Sequence, residues 1–369
     1  MKKLNFTLFL LLSLASRAAI FTVNNNPGGA MYSSLQGAID AAAYGDTIYV
    51  HGSTTSYGDA TIIGKKLTVI GPGMEPDVTP SFRATIGNLR ILNIDDENSN
   101  GCVIMGLNFE GSLRSNTAYA NPIVKNLKIV RNRFQNAKLV FDNGIGFISG
   151  HLVEGNFFLN STIDVPSNNP ILNCIFINNI MCRNNSNSYF LYGFANCSNV
   201  VFDHNVFYSN DNTNSPLFFS TINNVIFKNN VFSKLLNNVT PHNGGANIFN
   251  CSFLNNITFN CADNSPWLLG NNANLGGNIT NQSPQMVSQT DINNAVGSSL
   301  LNFTIATGVA NNAGTDGKDL GVLFDTNTYM NWTNGRNSRI PYIRTITINN
   351  TTVTQGGTLQ LQLTTRRAN

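Results

Sequence analysis

The chain has 369 residues, 22 of them basic and 19 acidic, and only 11% are charged, against roughly 25% in ordinary soluble domains. So sparse a charge leaves no basic footprint for nucleic acid, and that partner class is excluded. Beyond the first twenty residues no apolar run is long enough to cross a bilayer.

Met1-Lys-Lys followed by the apolar run Leu4 to Ala15, ending near Ser16-Arg-Ala18-Ala19, has the form of a secretory signal peptide over residues 1–19. Its removal takes away Lys2, Lys3 and Arg17 and no acid. The mature chain is then neutral, with 19 bases and 19 acids. It is expected outside the cell, freely secreted or held at the surface, and not spanning a membrane.

Ser33 to about residue 44 reads as a short amphipathic helix. Leu35, Ala38, Ile39 and Ala42 line one face, and Gly45 can take the left-handed stop. Thr47-Ile-Tyr-Val50 then opens a strand. Lys66 to Gly73, Arg90 to Ile94 and Cys102 to Phe109 are further short strands.

From Leu127 one phrase recurs. It runs Leu127-Lys-Ile-Val-Arg-Asn132-Arg-Phe134, then centres on Asn156, Asn179, Asn205, Asn230 and Asn256, with a fading copy at Asn278. The first six asparagines are 24, 23, 26, 25 and 26 residues apart, a period that signals a solenoid. With the asparagine as position zero, −5 carries Leu127, His151, Cys174, Val200, Val225 and Cys251. Position −3 carries Ile129, Val153, Phe176, Phe202, Phe227 and Phe253. Position −2 tolerates Glu154, Asp203 and Lys228. That is strand alternation, with −5 and −3 inward and −2 outward. Position +2 (Phe134, Phe158, Met181, Phe207, Phe232, Thr258) turns inward again. The asparagine marks the corner: it tolerates left-handed backbone, and stacked amides can bond one another up the column.

Coils of this length, with an Asn corner and a stacked aromatic interior, resemble the pectate-lyase-like superfamily and its uncharacterised secreted bacterial repeat proteins. The likeness covers about residues 33 to 305. The opening Gly-Asp-Thr-Ile-Tyr-Val, then Lys66-Leu-Thr-Val-Ile-Gly-Pro-Gly73, is similar to the start of bacterial members. The resemblance implies an all-β, right-handed parallel β-helix over residues 20–305, with the helix plugging its N-terminal end. Residues 306–369 lose the period. They are read as a C-terminal cap and small β tail, with strands at Arg344 to Asn350 and Gly357 to Leu363.

Six cysteines (102, 174, 182, 197, 251, 261) in an exported chain suggest disulfides. Their register opposes that: Cys174 and Cys251 share a column but lie about three coils, or roughly 14 Å, apart. At most one disulfide is expected, and most of these cysteines are read as small buried hydrophobes.

Chemistry is sparse. A lyase of this superfamily would need acids holding Ca²⁺ against a uronate and a base for the C5 proton. A hydrolase would need paired carboxylates. Val201-Phe-Asp203-His204-Asn205 resembles the Trp-Ile-Asp-His segment of one pectate lyase family. Arg339-Ile-Pro-Tyr-Ile-Arg344 resembles its Arg-x-Pro-x-x-Arg string but stands outside the coils. Asp142, Glu154, Asp164, Asp203 and Asp211 are isolated, Asp95-Asp96 lies too early, and the hydrolase motifs are missing. The weak catalytic candidates are Asp203, Lys228 and His204. Asp203 and Lys228 share the −2 column on adjacent coils, where a solvated ion pair competes with a catalytic pair and is favoured. His151 is read as a core or corner histidine. No cofactor or metal is expected, Ca²⁺ entering only under a lyase reading.

Two readings therefore stand. The favoured one is a non-catalytic β-helix that contacts extracellular polysaccharide or another surface. The alternative is a polysaccharide lyase, acting on a uronate polymer, or a glycoside hydrolase with divergent active-site residues, supported by fold alone. Oligomeric state and the role of the tail stay open.

Overall fold

The structure, a computed structural model, describes residues 18–26, 29–74, 82–94, 98–115, 122–141, 146–166, 169–184, 189–210, 219–220, 222–235, 248–268 and 270–323, with short pieces at 330–331, 336–337, 342–348, 356–358 and 360–366. Residues 1–17, Asp95, Asp96, Asp142, Asp211 and Arg339 lie outside the described residues.

Three long parallel sheets, of 11, 8 and 7 strands, run the length of a solenoid, with smaller sheets of three and two strands beside them. Every pairing in the three long sheets is parallel and in step. Phe176 pairs with Phe202 and Phe202 with Phe227 in the first sheet. Met181 pairs with Phe207 and Phe207 with Phe232 in the second. Successive parallel strands joined this way wind right-handed. The molecule is a right-handed parallel β-helix.

Positions −5, −3 and +2 point inward as the alternation requires, and their residues are buried. Rings stack coil on coil: Phe176 on Phe202 at 4.4 Å, Phe202 on Phe227 at 5.4 Å, Phe134 on Phe158 at 4.7 Å and Phe207 on Phe232 at 5.1 Å between centroids. Such pairs add about 0.5–1.5 kcal/mol each beyond area burial.

Each ladder asparagine serves three neighbours. Asn205 accepts at Oδ1 from the backbone N–H and the Nδ2 of Asn179, at 2.9 and 3.0 Å. Its own Nδ2 donates to Asn230 Oδ1 and to the Phe176 carbonyl. The same pattern runs unbroken from Asn132 to Asn278, and Leu107, one coil earlier, donates into its open end. A buried corner thereby keeps every amide partnered.

The left-handed backbone is not on the ladder asparagine, as the sequence reading supposed, but one residue before it. Arg131, Gly155, Asn178, His204, Asn229, Asn255 and Gly277 take φ between 50° and 65°. A second left-handed column lies at −6, on Asn126, Gly150, Asn173, Asn199, Asn224 and Asn250. The ladder residue must point its amide inward along the column, so the bend falls on its neighbour.

The predicted helix forms over Leu35–Ala41, with the Ser34 hydroxyl accepting from Gly37 N. Leu35, Ala38 and Ile39 join the solenoid core at its N-terminal end. It stops at Ala42, and Gly45 (φ 94) serves the following turn instead. An unanticipated strand, Ile20–Val23, precedes it and pairs with Thr47–Val50.

After the last coil the chain does not leave the solenoid. Residues 283–323 fold back along its outside as a strap. Gln282 N bonds the Thr258 carbonyl, Lys234 and Asn210 bond the Asn293 and Asn294 carbonyls, and Tyr208 Oη donates to the Val296 carbonyl at 2.8 Å. The strap then returns through Ile305, which bridges Met286, and climbs a second time from Ala313 to Leu323. It covers outward-facing Phe157, Ile180, Cys182, Val206, Tyr208, Val231 and Ile257 with Met286, Ile292, Phe303, Ile305, Leu320 and Val322, making a second apolar core outside the first. Further on, Tyr342–Ile348 pairs antiparallel with Leu361–Arg366.

Candidate functional site

Asp203, His204 and Lys228 do come together, on the outer edge of the first sheet. Asp203 is opposite Lys228 in register, and Lys228 Nζ lies 3.0 Å from Asp203 Oδ2. Asp203 Oδ1 accepts from Asn229 Nδ2 at 2.8 Å. Both carboxylate oxygens are therefore engaged, and the side chain is 13% exposed.

His204 occupies the left-handed −1 position, which aims its ring out of the coil and under the strap, where it is buried. Its Nδ1 lies 3.0 Å from the Gly321 carbonyl. A carbonyl only accepts, so Nδ1 carries the hydrogen. Nε2 is 3.5 Å from Asp316 and 3.8 Å from Asp203, with no hydrogen-bond partner.

Four consecutive members of the −1 column, His204 among them, serve the strap. Asn178 Oδ1 accepts from Leu323 N at 3.1 Å. Asn229 accepts from Thr315 N at 2.8 Å, donates to Thr315 Oγ1 at 3.0 Å, and receives Gly321 N on its carbonyl at 2.8 Å. Asn255 Nδ2 donates to the Ala313 carbonyl at 2.6 Å. Over these four coils, one left-handed turn per coil thus presents one polar side chain to the same covering segment. An acid, a lysine and a histidine are assembled here, but Asp203 and His204 are covered, the carboxylate being held by Lys228 and Asn229 and the His204 Nδ1 by the Gly321 carbonyl of the strap.

The other candidates fall elsewhere. Glu154 sits against Arg131. Burial raises its carboxyl, opposed by the charges of Arg131 and Lys128, while burial lowers Arg131 to about 10. Asp164 lies on the third sheet, its Oδ2 3.0 Å from Lys138 Nζ. The backbone of Arg344 is in the antiparallel pair, outside the three parallel sheets. His151 is a core residue stacked on Phe141 at 4.5 Å. Among the described residues no cluster of three His, Cys, Asp or Glu side chains is placed to hold a metal ion, and no helix is long and apolar enough to cross a membrane.

Sequence reasoning missed three things here. The apolar +1 column (Phe157, Ile180, Val206, Val231, Ile257) sits beside the inward +2 residues, and consecutive apolar residues in a strand mean burial on both faces. That signal pointed to the strap. The polar −1 column pointed to its anchors. The −5 cysteines and histidine also do more than fill space. Leu67 N donates to Cys102 Sγ, Leu127 N to His151 Nδ1 and Val225 N to Cys251 Sγ. All six cysteines are buried and unpaired, and burial pushes their thiols up, to about 11 for Cys102 and Cys174 and about 12 for Cys182 and Cys251.

No family model matches the sequence, and no curated protein matches it. Among solved structures, pectate lyase Pel9A is similar over 83% of this chain and 96% of its own, at 17% identity and a TM-score of 0.37. The pectin methylesterase of Aspergillus niger, in deglycosylated form, is similar over 67% of this chain and 87% of its own, at 12% identity and a TM-score of 0.31. The strand registers by themselves give this chain the architecture of a right-handed parallel β-helix.

Proposed function

We propose that the chain is an exported, non-catalytic β-helix whose outer surface contacts extracellular polysaccharide. One observation carries the non-catalytic part. The residues best suited to acid–base work, Asp203, His204 and Lys228, are engaged with one another and with the strap: His204 is 2% exposed and bonded to Gly321, and Asp203 is held by Lys228 and Asn229. A general base has to reach the proton that it removes, and this arrangement leaves His204 no path to a polymer lying on the surface. Export is supported by the leader-like run of Met1 to Ala19.

The test is a polysaccharide panel that includes polygalacturonate, with and without added Ca²⁺, followed by reducing ends and by unsaturated-uronate absorbance. No product is expected. Calcium-stimulated product lost on Asp203→Ala or Lys228→Ala would establish the lyase reading instead. Loss on Arg339→Ala would place the base in the Arg-x-Pro-x-x-Arg string.

A further inference from the structure

The third sheet carries a feature that the strap does not use. Ile163 pairs with Leu191 and Asp164 with Tyr192 in parallel register. Ile163 and Leu191 are fully buried inward, so Asp164 and Tyr192 stand outward on adjacent coils, roughly 4.8 Å apart along the solenoid. Tyr192 is 38% exposed. The ring of Tyr189 lies beside it, 5.2 Å away at 48°, with its backbone carbonyl fixed by Thr162 Oγ1 at 2.7 Å.

Two details make this a built arrangement. Gly193 follows Tyr192 at φ 82, where a Cβ would stand 1.9 Å from the Val165 carbonyl oxygen. Only glycine fits there, so the end of the strand that presents Tyr192 is fixed. Asp164 is 8% exposed. Its Oδ2 holds Lys138, whereas its buried Oδ1 has no hydrogen-bond partner. A buried acceptor left without a donor is costly, which points to a donor that arrives with a ligand.

We propose that Tyr192, with Tyr189, Asp164 and Lys138, is a binding platform for one ring of a neutral, hydroxyl-rich polysaccharide. The proposal rests on the polysaccharide-contact reading and names the place and the sugar class. The apolar C–H face of a pyranose lies on the exposed tyrosine ring, which offers an apolar surface with a polar tip. Lys138, on a side chain 54% exposed, leans outward, and the Asp164 carboxylate turns to accept a sugar hydroxyl. An ionised carboxylate accepts and cannot donate. It therefore favours hydroxyl donors and repels a uronate carboxylate.

Affinity electrophoresis of the full chain through gels containing soluble xylan, mannan, galactan, mixed-linkage glucan or polygalacturonate tests this. At least one neutral glycan should retard the protein more than polygalacturonate does. Tyr192→Ala should weaken that binding roughly tenfold, Asp164→Asn should weaken it less, and Tyr192→Phe should keep it, each with an unchanged melting temperature. Retardation by polygalacturonate alone, or by no glycan, would overturn the proposal. Binding indifferent to Tyr192→Ala would also overturn it, while leaving polysaccharide contact standing at another face. Cleavage of the bound glycan would defeat the non-catalytic reading and leave the platform in place.

Discussion

His151 Nδ1 accepts the backbone N–H of Leu127, one coil away, at 3.1 Å. The acceptor lone pair fixes the tautomer: the ring hydrogen sits on Nε2, which is buried without a partner. Protonating Nδ1 would break that bond and place a charge in the core, and burial pushes the ring down to about 3. An unfolded histidine titrates near 6.5. The unfolded chain thus takes up a proton that the folded chain refuses as pH falls from about 6.5 towards 3. Stability from this residue is complete above that window and is lost through it, on the order of 3 kcal/mol by about pH 4. Urea unfolding at about pH 7 and about pH 4 should show the loss. His151→Cys, which supplies a sulfur acceptor as Cys102 and Cys251 do on their coils, should remove this share of it. Equal pH dependence in both proteins would mean that His151 charges freely in the native state.

The asparagine ladder makes position matter. Asn205→Leu takes the acceptor away from the backbone N–H and from one amide hydrogen of Asn179 in a buried corner, since both donate to its Oδ1. The expected cost is about 2–4 kcal/mol. Asn278→Leu, at the partly exposed end where the amide has one neighbour below it in the ladder, should cost about 1 kcal/mol or less. Thermal melts of the two variants decide the matter, and similar losses would show that the ladder bonds are not what holds the corner.

The strap should open without the solenoid. Asn229→Ala removes two hydrogen bonds to Thr315 and one to Asp203. Protease cleavage within 311–319 and amide exchange over 313–323 should then rise by about tenfold or more, with exchange in the ladder strands unchanged. Uniform acceleration across the chain would mean that strap and coils unfold as one unit.

Six thiols should be titrated in denaturant without reductant, and none quickly in the native protein. Burial both shields the six sulfurs and holds them protonated. Four or fewer thiols in denaturant would reveal a disulfide that this register does not allow.

The period of the asparagines made the coil legible before any coordinate, because a residue that must bond its own copy one turn away cannot drift in register. The inward columns followed from alternation alone. What escaped was local in one case and distant in the other. The left-handed turn was placed on Asn205 and lies on His204, because composition gives the turn but not which of two neighbours bends. The pairing of Asp203 with Lys228 was readable from register, but the cover over it was not. That cover comes from Thr315 and Gly321, more than eighty residues further on, and nothing periodic links them. Tyr192 and Asp164 were obscured because the loops before their strands vary in length, so their column does not repeat in the sequence.

Repeat solenoids commonly gain and lose whole units, since each unit meets only its neighbours. Here the climb from Ala313 to Leu323 is tied in turn to Asn255, Asn229, His204 and Asn178, one rung per unit. Excising a unit such as 205–229 would leave the remaining coils able to stack. The returning segment would then be one rung too long, its side chains meeting the wrong partners. This protein therefore measures itself: its length is set by a tally kept on the outside, and growth or shrinkage within that stretch requires a matching change about a hundred residues downstream.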